Sequence, residues 1–518
     1  MNKNKKHDKR NQLDIILTDL QPNEVPQIYT LKNFYNYLVT NKVMKRISRD
    51  KNEDEKKFDS SWHAAPLKIF VLKDNNEYRE ISFINPLSMM EVYLYLERYE
   101  KIILNFFKKD SFSIRTHRKR DNLLFKRVNN NIIEYADQAI LQNESAGNYY
   151  DRFPYQQLDH FYKSDEWHDL NRKYKFFAKL DYSKCFDSIY THTFNWIIAS
   201  NVQEAKRLDE GHFLSATDKL LQNMNMSITN GIVVGPEFSR FLSEIIFQSV
   251  DRNIMYSLNC QGLQNGLDYE IKRYVDDFFV FVKKEENVDK IINEIAKSSN
   301  RFKLRLNYEK EEKGKLPHIW SEWINEINLF LNELEKSIFY PYSDENTYLL
   351  REQRLLPQRS VSKLKDMFQT VIVSDEKMNV KIVSYCFSFI YRKFFGCISN
   401  ESKKTIFNLA FENAVYYLYD LLFYFYSFAP TYRNTDKLIS IIYIIEDEIG
   451  FSKNKSVLYK IMKRYSFIIQ NSNLADVSNL ILLLIMYDID IGSKSEEYIL
   501  YEIRKEMRLA EINPNVND

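Results

Sequence analysis

The sequence predicts an α+β chain whose first part mixes strands and helices and whose last part is all α. Two β-prone runs broken by turn signals, at 68–86 and 271–282, lie in the first 320 residues. From about residue 325 onward, helical periods alternate with short polar breaks. Only 10 Gly and 11 Pro occur in 518 residues, which argues against a turn-rich all-β protein. We therefore predict a helical extension at 1–60, a mixed domain at 61–320 and a helical domain at 321–518.

Composition and charge narrow the class of protein. The chain is 44% hydrophobic and 28% charged, which is typical of a globular protein. The net charge of +2 means that any nucleic-acid site must be a local basic patch. Four cysteines without CxxC spacing disfavour a zinc site or a disulfide framework and fit a reducing cytosol. The basic start lacks an apolar signal segment, and no run favours a membrane span, so we expect a cytoplasmic protein without membrane contact.

Two adjacent carboxylates, Asp276 and Asp277, interrupt the apolar stretch 271–282. β-branched and aromatic residues on both sides predict a strand, a tight turn and a second strand. Charges in so apolar a setting are costly unless they are paired, and divalent cations prefer oxygen ligands. A surface hairpin with an acidic turn is the alternative, and the dipeptide alone would favour it.

Tyr274-Val-Asp-Asp277 resembles the central motif of reverse transcriptases, and other segments follow in that family's order. The stretch 175–190, where an apolar strand ends at Asp181, resembles the first palm motif. The resemblance implies polymerase fingers and palm, in which Asp181, Asp276 and Asp277 converge on two Mg²⁺ ions about 3.5–4 Å apart. Mn²⁺ is the expected substitute. The implied activity is that of an RNA-directed DNA polymerase, a nucleotidyltransferase.

Several further residues acquire nucleotide-binding roles from this resemblance. The hairpin at 68–86 resembles the one that closes over the incoming nucleotide, with Lys73 and Arg79 on it. Arg79 has the spacing of the triphosphate-binding residue, and its planar guanidinium suits phosphate oxygens. Phe186 stands where the family has a steric gate against the ribose 2′-hydroxyl, so deoxynucleotides are the expected substrate. The backbone at Lys184 and Cys185 is expected to cradle the triphosphate.

The third and fourth palm motifs are also recognisable. The stretch 229–244 has Asn230 where the family usually has Gln, and Gly231 is expected to let the backbone approach the nucleotide. In the helix predicted after Pro236, Arg240 and Glu244 are one turn apart and are expected to pair. The stretch 302–310 resembles the fourth motif, in which Lys310 would protonate the pyrophosphate leaving group. A surface lysine is the alternative.

A basic segment at 111–120 resembles the family's second fingers motif. Clustered basic side chains attract nucleic-acid phosphates without regard to sequence. The residues that we expect to bind template or product are Arg115, Arg118, Lys119 and Arg120. A basic loop without a ligand is the alternative.

The last third of the chain predicts paired antiparallel helices, in an irregular arrangement similar to HEAT repeats. The predicted helices span 320–338, 360–373, 380–395, 403–428, 435–448, 456–469, 477–486 and 496–509. No RNase H, maturase or endonuclease motif is recognisable there.

The stretch Tyr190–Trp196 resembles the bacterial abortive-infection and other defence-associated reverse transcriptases more than retroviral enzymes. That resemblance implies antiphage defence, DNA synthesis that can be untemplated and primed on a protein tyrosine, a covalently attached product and a homo-oligomer. Among 36 tyrosines no priming residue can be named. Two alternatives stay open: a retron-like or group II intron-like enzyme that copies a bound RNA, and a non-enzymatic RNA-binding scaffold with a decayed palm.

Overall fold

The protein is described from a computed structural model that covers fourteen segments of the chain. The described residues are 7–22, 31–44, 62–74, 77–120, 123–125, 148–199, 202–207, 211–318, 323–341, 348–350, 358–374, 378–398, 412–449 and 455–512. Residues 75 and 76, at the predicted turn of the first hairpin, lie outside them.

The mixed part of the chain contains ten strands and nine helices within the described residues. In chain order they are β1 (His7–Lys9), α1 (Lys32–Thr40), β2 (Leu67–Asp74), β3 (Glu77–Phe83), α2 (Pro86–Phe106), β4 (Arg115–Arg120), β5 (Leu123–Phe125), β6 (Tyr150–Pro154), α3 (Leu158–Tyr162), α4 (Asp165–Lys173), β7 (Phe176–Leu180), α5 (Cys185–Ser188), α6 (Val202–Lys206), α7 (Phe213–Asn223), α8 (Glu237–Cys260), β8 (Tyr269–Tyr274), β9 (Asp277–Val282), α9 (Val288–Asn300) and β10 (Glu312–Lys315). Short 3-10 helices span Gln12–Leu17, Thr191–Ile197, Glu285–Asn287 and Tyr308–Lys310.

The central sheet has four antiparallel strands in the order β10–β7–β9–β8. Strand β9 is apolar from Phe278 to Val282, and these residues are buried on both faces of the strand. Phe278 and Val280 pack into the main core with α8 and α9, while Phe279 and Phe281 pack against Trp167 on the opposite face. The sheet is thus sandwiched between helices, and its strand ends at Leu180 and Asp277 open onto the site described below.

The first hairpin pairs β2 with β3 in an antiparallel register that places Val71 opposite Arg79 and Leu72 opposite Tyr78. Two further strand pairs, β4–β6 and β1–β5, complete this part of the chain. Strand β1 was not predicted, because three charged and polar residues give no strand pattern. The predicted hairpins at 68–86 and 271–282 are both present.

The carboxy-terminal part is helical. Its elements are α10 (Trp323–Ile338), β11 (Phe339–Pro341), β12 (Tyr348–Leu350), α11 (Gln358–Ser374), α12 (Asn379–Ile398), α13 (Glu412–Ser427), α14 (Tyr432–Ile449), α15 (Lys455–Tyr465), α16 (Phe467–Asn471), α17 (Leu474–Met486) and α18 (Ser493–Ile512). The all-α prediction was wrong for the aromatic and apolar runs 339–341 and 348–350, which form a short antiparallel pair.

Two clusters of buried side chains form the main cores. One runs from Leu13 to Leu306 and the other from Ile327 to Ile489. The described residues before position 45 pack into the first cluster, through Ile15, Ile16 and Leu38. The domain boundaries at 60 and 320 stay predictions. None of the helices in the described ranges is long and apolar enough to span a membrane.

Candidate active site

Three carboxylates from two separate stretches meet at one end of the central sheet. Leu180 at the end of β7 pairs with Phe278 in β9, so Asp181 and Asp277 follow at neighbouring strand ends. Asp276 lies in the two-residue turn between β8 and β9. All three line one cavity of about 1490 Å³.

Burial and mutual repulsion perturb two of these carboxylates. Burial, and next the negative charge of Asp181, raises the pKa of Asp276 to about 6. Burial, and next the charges of Asp276 and Asp181, raises the pKa of Asp277 to about 7. The site therefore holds more negative charge than its surroundings neutralise.

A hard divalent cation fits this set of donors, because carboxylate oxygens are its usual ligands and its charge would offset the repulsion. Within the described residues, no three His, Cys, Asp or Glu side chains are already arranged as metal ligands. A cationic side chain reaches the group instead, since Lys310 Nζ lies 3.4 Å from Asp181 Oδ2. The carboxylates thus share a cavity, and cation binding would require their side chains to close in.

The turn that carries Asp276 is held from behind by a fully buried arginine. Val275 has φ +57°, a left-handed conformation that is unusual for a β-branched residue. Arg273 Nη1 donates to Val275 O at 2.7 Å, and its Nη2 lies 2.7 Å from Asp251 Oδ2 and 3.0 Å from Glu244 Oε1. The prediction that Glu244 pairs with Arg240 was wrong, because Glu244 forms its ion pair with Arg273.

Strand β7 is followed by a loop that the fourth motif fixes in place. Asn307 N donates to Asp181 O at 2.8 Å, and Ser183 N donates to Arg305 O at 2.8 Å. Lys184 then adopts a left-handed conformation with φ +45° before α5 begins. These bonds set the position of Asp181 relative to Lys310.

The predicted nucleotide-binding residues of this loop lie on the cavity wall. Lys184, Cys185 and Phe186 all line it. Burial raises the pKa of the Cys185 thiol well above its usual range, so the thiol stays protonated inside the core. Phe186 is half-buried, and its carbonyl accepts from Ile232 N at 3.0 Å.

Cationic side chains face the carboxylates across the cavity. Arg79, on β3, lies on the wall with Arg240 and Arg433. Burial, and then repulsion from Arg240 and Arg433, lowers the pKa of Arg79 to about 10, while Asp276 acts in the opposite direction. Lys73 also lines the cavity, and its Nζ lies 3.8 Å from Glu77 Oε2.

The nucleotide-binding roles of Asn230 and Gly231 stay predictions. Neither is among the described residues that line the cavity. Gly231, with φ +92°, passes the backbone of Asp187 so closely that a Cβ would lie 3.1 Å from Asp187 O. Glycine is needed at position 231 because this residue packs closely against the backbone of the first palm motif. Gly235, with φ +119°, lies on the cavity wall.

The basic segment on β4 divides into buried and exposed side chains. Arg115 is 5% exposed and pairs with both oxygens of Glu237, at 2.7 and 2.9 Å. Arg120 pairs with Glu100. Both guanidiniums pair with protein carboxylates, Arg115 also lines the cavity, and their predicted nucleic-acid contacts stay predictions. Arg118 and Lys119 are exposed, and Arg118 stacks 3.5 Å from the Phe153 ring centroid.

Other residues of the wall were missed by sequence reasoning. Tyr308 and Asn307 belong to the fourth motif and could have been named from their neighbour Lys310. Gln157 and Arg433 have no local signal, because only the folded chain brings them to the cavity. The predicted site residues that the structure brings to this cavity are Lys73, Arg79, Arg115, Asp181, Lys184, Cys185, Phe186, Asp276, Asp277 and Lys310.

Comparison with known families agrees with this arrangement. Residues 73–316 match the family model described as reverse transcriptase (RNA-dependent DNA polymerase). They include all four strands of the central sheet and the whole carboxylate group. This segment is a reverse transcriptase domain. The chain is accordingly a nucleotidyltransferase, and the reverse transcriptase domain fits a polymerase fingers and palm.

Solved structures offer weaker likenesses to the chain. Telomerase from Candida albicans, in complex with a TWJ fragment of telomeric RNA, has 11% identity and a TM-score of 0.31, covering 81% of this chain and 67% of that one. Apo telomerase from Candida tropicalis has 11% identity and a TM-score of 0.30, covering 84% of this chain and 72% of that one. At TM-scores this low the telomerases do not bear on the function of this chain. No curated protein sequence matches it.

Proposed function

We propose that the reverse transcriptase domain adds deoxynucleotides to a DNA 3′-hydroxyl, with Asp181, Asp276 and Asp277 holding two Mg²⁺ ions. The observation that carries the proposal is the convergence of these three carboxylates in one cavity with Arg79. Cations, when bound, would activate the attacking hydroxyl and neutralise charge on the phosphates.

The protein's own groups have separable tasks in this reaction. Arg79 binds the polyphosphate, because it is charged, lines the cavity and interacts with Asp276. Lys310, 3.4 Å from Asp181 Oδ2, donates a proton to the leaving pyrophosphate. Phe186 occupies the wall where a 2′-hydroxyl would have to fit, which favours deoxynucleotides over ribonucleotides.

The direct test is DNA synthesis by the purified full-length chain with Mg²⁺ and labelled deoxynucleotides. Asp276→Asn keeps the side-chain size and removes the charge, and we expect synthesis to fall by at least about 100-fold. Asp110→Asn, at an exposed site away from the cavity, is the matched control. Undiminished synthesis by Asp276→Asn would refute the proposal and would favour the RNA-binding scaffold.

We further propose that this synthesis serves antiphage defence, is primed on a tyrosine of the protein and needs no template. The support is the resemblance of Tyr190–Trp196 to the abortive-infection enzymes and the helical part that follows the palm. In this proposal the helical part is HEAT-like and the active form is a homo-oligomer.

Two measurements test the defence proposal. Phage plaque counts should fall in cells that express the wild type and recover with Asp276→Asn. DNA that co-purifies with the protein should be released for sequencing only after protease treatment. Free-ended DNA complementary to a bound RNA would instead identify the retron-like alternative.

A further inference from the structure

The helical part of the chain forms hydrogen bonds with the first hairpin at the edge of the active-site cavity. Asn473 Nδ2 donates to Phe70 O at 2.8 Å, and Leu72 N donates to Asp476 Oδ2 at 2.8 Å. Both acceptor and donor on the hairpin are backbone groups of β2, so the contact fixes the strand itself. The hairpin is thereby bound to α17 and to the residue that precedes it.

Asp476 also binds the start of α14 with its other oxygen. Tyr432 N donates to Asp476 Oδ1 at 2.9 Å, and Thr435 Oγ1 donates to Asp476 O at 2.7 Å. Asp476 is 2% exposed. One buried carboxylate therefore joins three elements: the hairpin strand β2, the first turn of α14 and the first turn of α17.

This junction lies close in the chain and in the sheet to two arginines. Leu72 lies opposite Tyr78, the residue before Arg79, in the β2–β3 register. Tyr432 is the residue before Arg433. One of the two backbone groups that share the carboxylate thus directly precedes Arg433, and the other lies on the strand paired with the one that carries Arg79; both arginines line the cavity.

Three arginines from distant parts of the chain converge at this edge. Arg79 comes from the hairpin, Arg240 from the start of α8 and Arg433 from α14, and all three line the cavity. Repulsion from Arg240 and Arg433 contributes to the lowered pKa of Arg79, so the positive charges lie close enough to oppose each other. Arg240 also pairs with Glu237 at 3.1 Å, and a polyanion in the cavity would interact favourably with all three positive charges.

We propose that Arg433, besides Arg79, binds the polyphosphate of the incoming nucleotide, and that Asp476 is the residue that positions it. The inference rests on the proposed function and adds a contribution of the helical part to the substrate site. A triphosphate suits the site because it concentrates several negative charges in a group small enough to meet three guanidiniums at once.

The test measures binding, so it does not depend on turnover. Full-length protein is titrated calorimetrically with three probes: dTTP, inorganic triphosphate and thymidine. For Arg433→Gln we expect binding of dTTP and of inorganic triphosphate to weaken by about 10-fold or more, the usual effect of losing a charged hydrogen bond. Thymidine binding should not change. Arg504→Gln, at an exposed arginine of α18, is the matched control and should bind all probes like the wild type.

Asp476→Asn tests the positioning role. Both partners of Asp476 are N–H donors, so an amide must turn its NH₂ group toward one of them and lose that bond. We expect weaker triphosphate binding by Asp476→Asn alone and little further loss when it is added to Arg433→Gln. Equal losses in both backgrounds would show that Asp476 acts independently of Arg433 and would overturn its assigned role.

The outcomes separate this inference from the proposed function. If Arg433→Gln binds both phosphate probes as tightly as the wild type, the inference is wrong and the polymerase proposal is unaffected. If binding weakens as expected but the wild type makes no DNA, the polyphosphate site stands and the polymerase proposal fails.

Discussion

Arg273 Nη1 donates a 2.7 Å hydrogen bond to the carbonyl of Val275, the residue that precedes Asp276 and Asp277. The same guanidinium is fully buried and paired with Glu244 and Asp251 on α8. A buried ion cluster is expensive to desolvate and is a weak source of net stability. Its visible effect here is to hold the left-handed turn against the long central helix.

Arg273→Met should destabilise the protein strongly, because it leaves Glu244 and Asp251 buried without a counter-charge. We expect a loss of about 3–5 kcal/mol, measured as a lower unfolding midpoint in calorimetry. Arg301→Met, at an exposed arginine after α9, should have little effect. If Glu244→Gln and Asp251→Asn, added together, do not recover part of the loss, uncompensated charge is not its cause.

Asp277→Asn should stabilise the fold while it abolishes activity. The substitution removes a buried carboxylate that is repelled by Asp276 and Asp181, and it should raise stability by about 1–3 kcal/mol in EDTA. Added Mg²⁺ should raise the melting temperature of the wild type and have less effect on the variant, because a cation stabilises only the folded state that binds it. An equal response of both proteins to Mg²⁺ would count against the metal site.

Phe186→Ala should relax discrimination between deoxynucleotides and ribonucleotides. Removing the ring opens space on the cavity wall, and we expect the preference for dATP over ATP in kcat/KM to fall by about 10- to 100-fold. Phe186→Tyr keeps the bulk and should keep the preference. If the Phe186→Ala and Phe186→Tyr variants have the same preference for dATP over ATP, Phe186 does not act as the steric gate.

Lys437 should make stability depend on pH in the alkaline range. Burial, and then repulsion from Arg433 and Arg392, lowers its pKa to about 8, against weaker opposing effects of Cys386 and Asp436. Between about pH 8 and the unfolded-state value of about 10.5, the unfolded chain binds more protons than the folded one, so stability rises with pH.

The measurement compares unfolding midpoints of the wild type and Lys437→Gln at pH 7 and 9.5. The wild type should gain about 2 kcal/mol relative to the variant over this interval. Lys460→Gln, at an exposed lysine, should show the same change of unfolding midpoint with pH as the wild type. A pH-independent difference between the wild type and Lys437→Gln would contradict the lowered pKa.

Sequence reasoning succeeded where structure is local. The β-branched and aromatic residues on both sides of Asp276 predict the hairpin, and the apolar run 278–282 predicts strand β9. The helices after residue 320 follow from their periodicity, since most begin and end within a few residues of the prediction. In each case the deciding signal lies inside the element itself.

Sequence reasoning failed where a partner distant in the chain determines which contacts a side chain makes. In the sequence, Arg115 has the features of a phosphate ligand. In the structure, both terminal nitrogens of its guanidinium pair with Glu237, which lies far along the chain. Arg240 and Glu244 have the right spacing to pair, but Arg273 competes for Glu244 and Arg240 turns to Glu237 at 3.1 Å. Arg433 could not be predicted because its place at the cavity depends on Asp476 of α17, which binds both the start of α14 and β2.

The amino-terminal segment has a consequence for how the chain folds during synthesis. Asp19 accepts hydrogen bonds from Tyr149 N at 3.0 Å and, through its carbonyl, from Phe238 N at 2.9 Å, while Ile15 and Ile16 are fully buried. These residues leave the ribosome long before Phe238 is translated. The bond between Asp19 and Phe238 can therefore form only after the start of α8 has emerged, so the docking of this segment is completed late in synthesis.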